Sequence, residues 1–538
     1  MAVMAELLTN NEMLTFGAVV MLLVFVSIVK SIYNVTLHPL SHIPGPKLAA
    51  ISSLYEFYWD VIRDGKYIFE IEKMHAKYAF SPATDNVRTD KFHEGPIVRI
   101  NPNELHIHDP EYYSTIYCGG TRKVEKDPST VTAFSVPTSV AATVDHHLHR
   151  ARRGYLNPYF SKRAIVSLEG LIHERTTKLF GRFQEAIATG ETISLDKAFS
   201  AMTADIITTR LYGYNCDYVD VKDFVFPVRG AFLGVSLIFH LARFFPHPVR
   251  MLKKLPNAII RLILPSVADF LVFQDAMKKS MTESLASKSF SEQEKKSVII
   301  QALSDDRIPP NERTLPRLLD EGTVIIFAGT ETSSRALAVG MFYMYDNKSL
   351  VTKLREELKP LSKIPDDELT LVELESLPYL TGVVNESLRL SFGPVSRLPR
   401  IATEAALEYK DVLIPPGYPV SQSTYLMHTD PSIYPEPRTF NPDRWVKAAE
   451  EGVQLSRYMV SFTKGSRQCL GIGMAYAELY LVIARCIRKF DMDLIDTTVD
   501  DVGVANVRIV GYPKKIKGKG DTQGEVTVKI TGMTASEV

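Results

Sequence analysis

A chain of 538 residues that is 45% hydrophobic and sets 62 basic against 62 acidic side chains can bury a large core and has no global charge. It lacks the basic excess by which nucleic-acid binders neutralise phosphate backbones. Its four cysteines, Cys118, Cys216, Cys469 and Cys486, are scattered with no CxxC pair, which argues against a zinc ribbon or a disulfide framework and fits a reducing compartment.

In chain order, the uncharged run Met13 to Val29, extended to Val35 past Lys30, reaches the length that crosses a bilayer. Glu6 and Glu12 precede it, where a cleaved signal would be basic. Lys30, Lys47 and most basic residues follow it, so a single-pass anchor leaves the bulk of the chain cytosolic. His38 to Pro46 carries three prolines and reads as a stiff hinge. With no linker or repeat beyond it, the division is an anchor over 1–35, a hinge over 36–47 and one domain over 48–538. Ala79 to Glu94 is polar and aperiodic, a loop or an insertion. Helical periodicity marks Ile165 to Thr189, Leu315 to Asp346, Leu350 to Leu361, Leu377 to Leu390 and Ile472 to Phe490. Strand patterns mark Pro96 to Ile100, Leu105 to His108, Leu407 to Leu413 and Gly524 to Ile530, and the lysines of Pro513 to Gly520 read as a solvated turn. The fold class is mainly α with small β-sheets. Phe224 to Leu264 is rich in Phe, Leu, Ile and Val, which suits a lipophilic ligand or ordinary core helices.

The sharpest chemical signal is Phe462-Thr463-Lys464-Gly465-Ser466-Arg467-Gln468-Cys469-Leu470-Gly471, leading into a helix. A glycine-rich turn before a helix N-terminus offers N–H groups and a dipole that favour an anionic sulfur, the form that ligates iron. Upstream, Glu386 and Arg389 share a helix face at i and i+3, and Ala328-Gly329-Thr330-Glu331-Thr332 lies mid-helix, where hydroxyl residues after a glycine can open a local bulge. His146, His147 and His149 match no zinc spacing.

The cysteine stretch resembles the FxxGxRxCxG signature of the cytochrome P450 family at all its fixed positions: Phe462, Gly465, Arg467, Cys469 and Gly471. The resemblance covers nearly the whole chain after the anchor and is similar in style to fungal microsomal members, especially the trichodiene-oxygenase-like group. It implies the P450 fold behind one N-terminal transmembrane helix, and a haem b whose iron takes Cys469 as axial ligand. It also implies a structural network of Glu386, Arg389 and Arg444, the last in Phe440-Asn441-Pro442-Asp443-Arg444-Trp445. Glu331 and Thr332 become the proton-delivering pair, and His149, Arg153 and Arg400 the propionate partners beside Arg467, with His149 standing where the family has Trp. The family joins a Lys-Tyr directly to Gly-Pro-Ile-Val, so Ala79 to Glu94 departs from it as an insertion or a gene-model error.

The expected reaction is hydroxylation or epoxidation of a lipophilic secondary metabolite, a terpenoid first among them, at the endoplasmic reticulum membrane. It consumes O2 and electrons from an NADPH-dependent reductase, which must be separate because the chain has no flavin or nucleotide motif. Lys464, Arg467, Arg488 and Lys489 are candidates for the reductase docking face. A haem-thiolate isomerase or dehydratase, or a non-catalytic haem-binding membrane protein, remain alternatives. A dinucleotide fold fails because Tyr476 stands at the third glycine position, and no GxSxG elbow supports a serine hydrolase.

Overall fold

Helix α1 (Ala2–Thr36) opens the chain, and from Thr15 to Thr36 it is apolar, unburied and long enough to cross a bilayer. A second stretch, Lys222–Phe244, passes the same test of length and composition but is largely buried, as a core helix is. The computed structural model describes residues 2–78, 96–120, 122–132, 134, 136–252, 255–287, 297–516 and 523–533; the segment from Ala79 to Glu94, Lys517 and Lys519 lie outside the described residues. The proline-rich stretch after α1 is packed down. Leu40 and Ile43 join a buried cluster, the Pro44 carbonyl accepts the Arg99 N–H at 2.8 Å, and Arg99 Nη1 donates to the Asn34 carbonyl at 2.7 Å.

Strands β1 (Ile97–Arg99), β2 (Leu105–Ile107) and β3 (Val124–Lys126) come next, then helix α2 (His146–Leu156). Helix α3 (Glu169–Thr189) leads through β4 (Thr192–Ser194) into α4 (Leu195–Tyr212). Helices α5 (Pro227–Phe244) and α6 (Pro265–Ser287) pack on each other over the longest core helix, α7 (Leu315–Asp346). After α8 (Lys348–Leu358) and α9 (Pro378–Ser391) come β5 (Arg400–Ala402), the hairpin β6 (Leu407–Tyr409) and β7 (Val412–Ile414), and β8 (Pro419–Ser421). Helix α10 (Asp443–Glu450) precedes the cysteine stretch, and α11 (Ile472–Lys489) follows it into β9 (Phe490–Leu494). The short pair β10 (Asn506–Val507) and β11 (Gly511–Tyr512) and the strand β12 (Thr527–Met533) close the order.

The main sheet runs β1-β2-β8-β5-β3, parallel only between β2 and β8, and a second runs β4-β12-β9. Helix α7 packs against α4, α9 and α11, which places the cysteine stretch beside the helix that carries Glu331 and Thr332.

Three sequence boundaries shift. The helix expected over Ile165 to Thr189 is broken after Val166, where the Ser167 hydroxyl donates to the Ala164 carbonyl at 2.7 Å in place of the helical ladder. Leu407 to Leu413 is a hairpin turned at Lys410, whose φ of 50° no strand adopts. The last strand starts at Thr527 instead of Gly524. The bulge expected at Ala328 to Thr332 is absent: α7 is unbroken, and the Thr332 hydroxyl donates to the Ala328 carbonyl at 2.7 Å, one turn back.

Candidate functional site

The chain turns at Thr463 (φ 54°) and Gly465 (φ 73°) and delivers Cys469 to the start of α11. Gly465 has left-handed backbone, and a Cβ there would overlap the Cys118 carbonyl. That carbonyl accepts the Ser466 N–H at 3.0 Å, and the Phe462 carbonyl accepts the Cys469 N–H at 2.9 Å, so both limbs of the turn are fixed. The Phe462 ring packs on Tyr476 with centroids 5.4 Å apart. Cys469 is exposed by surface area although protein surrounds it densely, which puts it on the floor of a deep recess rather than on an outer face. Burial pushes its thiol up, while the Gly471 N–H and the Arg153 charge favour the thiolate. Apart from chain neighbours, no atom comes within 4 Å of a Cβ position on Gly471, so a flat ligand has room there. Cys486, by contrast, is fully buried with its thiol pushed up to about 12 by burial, as in an inert core cysteine.

Four cations gather beside this turn. Strand pairing sets Lys126 of β3 directly opposite Arg400 of β5, a position in which like charges repel. Arg467 donates to the Thr143 and Val144 carbonyls at 2.7 Å, Arg153 to the Gln468 carbonyl at 2.5 Å, and Arg400 to the Leu398 carbonyl at 2.9 Å. Lys126 donates to the Ala141 carbonyl. Among the described residues none of the four is ion-paired, and the buried Nε atoms of Arg400 and Arg467 have no hydrogen-bond partner. Burial, then the three arginines, hold the Lys126 ammonium well below its usual range; burial and Arg400 bring Arg467 down to about 10. His149 is buried within the same group, and burial followed by Arg467 and Lys126 lowers it to about 2, so it is neutral at physiological pH. Arg400, which the sequence leaves equally open to a surface position, is 4% exposed. Lys126 escaped the sequence reading, because only the β3–β5 register reveals what it faces.

Glu386 and Arg389 are both fully buried and form a two-pronged pair, Nε to Oε1 at 2.8 Å and Nη2 to Oε2 at 2.7 Å. The remaining capacity of the carboxylate is met by the Trp445 Nε1–H at 2.8 Å and the Asn441 N–H at 2.9 Å. Arg389 also donates to the His428 carbonyl at 2.9 Å and the Thr439 carbonyl at 3.1 Å. Arg444 lies 3.4 Å from Glu386, with its own bond to the Pro435 carbonyl at 2.8 Å. Trp445 was quoted in the motif but given no part; its indole completes the carboxylate.

On α7, Ala328 is exposed in the middle of an otherwise packed helix, so the helix presents open surface one turn before Thr332. Glu331 and Thr332 do not bond each other. Glu331 Oε1 accepts the Ser200 hydroxyl at 3.2 Å, and burial raises its carboxyl against the lowering pull of Arg229. The docking face drawn from sequence needs correction: Arg467 is buried at 7% exposure and serves the interior, and Arg488 is ion-paired with Asp366 at 3.3 Å and bonded to the Ile364 carbonyl.

The donor set fits a haem. A cradled sulfur lies beside a turn with open space, and buried cations with unpartnered N–H groups wait for an anion such as propionate. Comparison with known proteins agrees. The cytochrome P450 family model matches residues 87–517. The chain is 54% identical over 498 residues to cytochrome P450 monooxygenase TRI4 of Trichoderma arundinaceum, covering 93% of each. It is 50% identical over 506 residues to cytochrome P450 monooxygenase SAT11 of Stachybotrys chartarum, covering 94% of this chain and 93% of that one. Its fold matches a retinoic acid-bound cyanobacterial CYP120A1 with a TM-score of 0.63 at 22% identity, over 82% of this chain and 92% of that one. With a turn, a recess and a family match that converge on one sulfur, the chain belongs to the cytochrome P450 family.

Proposed function

We propose that the chain is a haem-thiolate monooxygenase that hydroxylates or epoxidises a lipophilic, terpenoid-class secondary metabolite, with Cys469 as the axial ligand of haem b. The observation that carries this is the pairing of one amide-cradled, accessible sulfur with a cation cluster in which, among the described residues, no member is ion-paired. When bound, the haem supplies oxygen activation, using electrons that originate in NADPH and arrive through a separate reductase. The chain's own part is positional. Phe462, Gly465 and Gly471 shape the turn that presents the sulfur, and Arg153 favours its anionic form. His149, Arg153, Arg400, Arg467 and Lys126 would hold the propionates, and Glu386, Arg389 and Arg444 hold the chain behind the turn. Burial raises the Glu331 carboxyl above its usual range and so favours its protonated form, and the Thr332 hydroxyl stands one turn from the open surface at Ala328 to pass a proton on.

The substrate class rests on the TRI4 and SAT11 likeness, on the trichodiene-oxygenase-like style of the sequence, and on the apolar helices around α5. Residues 1–35 anchor the protein in the endoplasmic reticulum membrane by a single pass, 36–47 join the anchor to the sheet, and 48–538 form the cytosolic catalytic domain.

Microsomes carrying the protein, a reductase and NADPH, incubated with a panel of terpene skeletons and read by mass spectrometry, test the reading. A product heavier by oxygen that requires both reductase and NADPH is expected. A product formed without NADPH would assign an isomerase or dehydratase, and haem-loaded protein inert to every skeleton would contradict the substrate class.

A further inference from the structure

His428 belongs to no motif read from the sequence. It ends the short helix Thr424–His428 and is fully buried. Its imidazole sits between two backbones: Nδ1 lies 3.0 Å from the Arg389 carbonyl, and Nε2 lies 3.0 Å from the Val460 N–H. An N–H needs an acceptor, so Nε2 is bare and Nδ1 carries the proton; one neutral tautomer satisfies both neighbours. The tie is reciprocal, because Arg389 Nη1 donates to His428's own carbonyl at 2.9 Å. A second tie runs alongside: the Ser461 hydroxyl donates to the Leu388 carbonyl at 2.9 Å. Beyond them the Val460 carbonyl accepts the Thr463 N–H at 2.9 Å, and the Phe462 carbonyl accepts the Cys469 N–H at the same distance.

We infer that His428 is a positioning residue for the cysteine turn: it transfers the fixed geometry of the Glu386–Arg389 pair to the backbone that presents Cys469. The inference rests on the reading of Cys469 as the iron's ligand. An imidazole offers a donor on one edge and an acceptor on another at a rigid spacing, which a flexible amide cannot match without loss of side-chain freedom. Burial and the adjacent Arg389 charge lower it to about 3, so the bare Nε2 persists across the physiological range.

The test uses haem-loaded His428→Phe and His428→Asn, the second short enough to keep a polar group near Arg389 yet fall short of Val460. Each is reduced, treated with carbon monoxide and followed as the red-shifted Soret band gives way to the blue-shifted band of a lost thiolate, with amide exchange at Val460 measured in parallel. Loss of the red-shifted band about tenfold faster than in the wild type is expected, the scale of one hydrogen bond, together with faster exchange at Val460. Faster exchange with an unchanged Soret band and decay rate would overturn the inference. If His428→Phe does not accumulate as folded protein, His428→Asn decides by the same criterion. A wild type that shows no red-shifted band would instead remove the haem-thiolate reading itself.

Discussion

Around the cysteine turn stand two groups of arginines, and they differ in one respect. Behind the cysteine turn, Arg389 and Arg444 find their carboxylate within the chain, and Glu386 has its oxygens further met by Trp445 and Asn441. Beside the turn, Arg153, Arg400, Arg467 and Lys126 donate to backbone carbonyls, and among the described residues none of them is ion-paired. A buried charge costs desolvation unless it is paired, and the first group carries its own counter-charge, although the buried Arg444 Nε, 3.4 Å from Glu386, has no hydrogen-bond partner among the described residues. The second group has no such counter-charge among the described residues, which suits it to an anion from outside. The contrast separates residues that hold the fold from residues that hold a ligand.

The largest effect should come from breaking the ion-paired group. Glu386→Ala leaves two buried guanidinium groups without their carboxylate and should destabilise the protein by about 3–5 kcal/mol. Chemical denaturation would show it, with haem lost in the same transition; a stable, haem-retaining Glu386→Ala would erase the distinction between the groups.

A third kind of buried group has neither an ion pair nor a ligand. Glu478 on α11 is fully buried, neither carboxyl oxygen has a hydrogen-bond partner of good geometry among the described residues, and burial raises it to about 8 against a lowering by the nearby Ser333 hydroxyl. It is a neutral acid in the folded chain. The unfolded chain releases that proton near the ordinary value of 4.5, so stability falls as pH rises from there until the native group ionises near 8. Each pH unit in that window costs about 1.4 kcal/mol. Denaturation midpoints at pH 6 and pH 8 should therefore converge in Glu478→Gln, and an equal slope in both proteins would contradict the assignment.

The smallest effect belongs to the second group. Lys126→Ala removes the partner that repels Arg400, so the protein without haem should be as stable as the wild type or more so, while haem affinity falls about tenfold, as for one charge-assisted hydrogen bond. Haem transfer to an acceptor protein measures this. Thr332→Ala should leave haem bound and divert reducing equivalents to peroxide, seen as NADPH consumption without product.

Legibility in the sequence followed the same division. Cys469 and its turn were readable because their chemistry lies within one contiguous stretch, and Glu386 with Arg389 because helical spacing places them together. Lys126, His428 and Glu478 were not, since each acquires meaning from a segment far away in the chain: a strand register, the Val460 amide, a helix crossing. Helix ends moved where side chains competed with the backbone, as at Ser167. Thr332 shows the limit of motif reasoning, because the same hydroxyl that could open α7 bonds back to Ala328 and keeps the helix continuous.

One measurement bears most directly on the whole account: the absorption spectrum of the purified, reduced protein under carbon monoxide, taken for the wild type and for Cys469→Ala. The wild type should show the strongly red-shifted Soret band of a thiolate-ligated haem, and Cys469→Ala should lack it. A wild-type band at the position of a histidine-ligated haem, or the same band in both proteins, would contradict it.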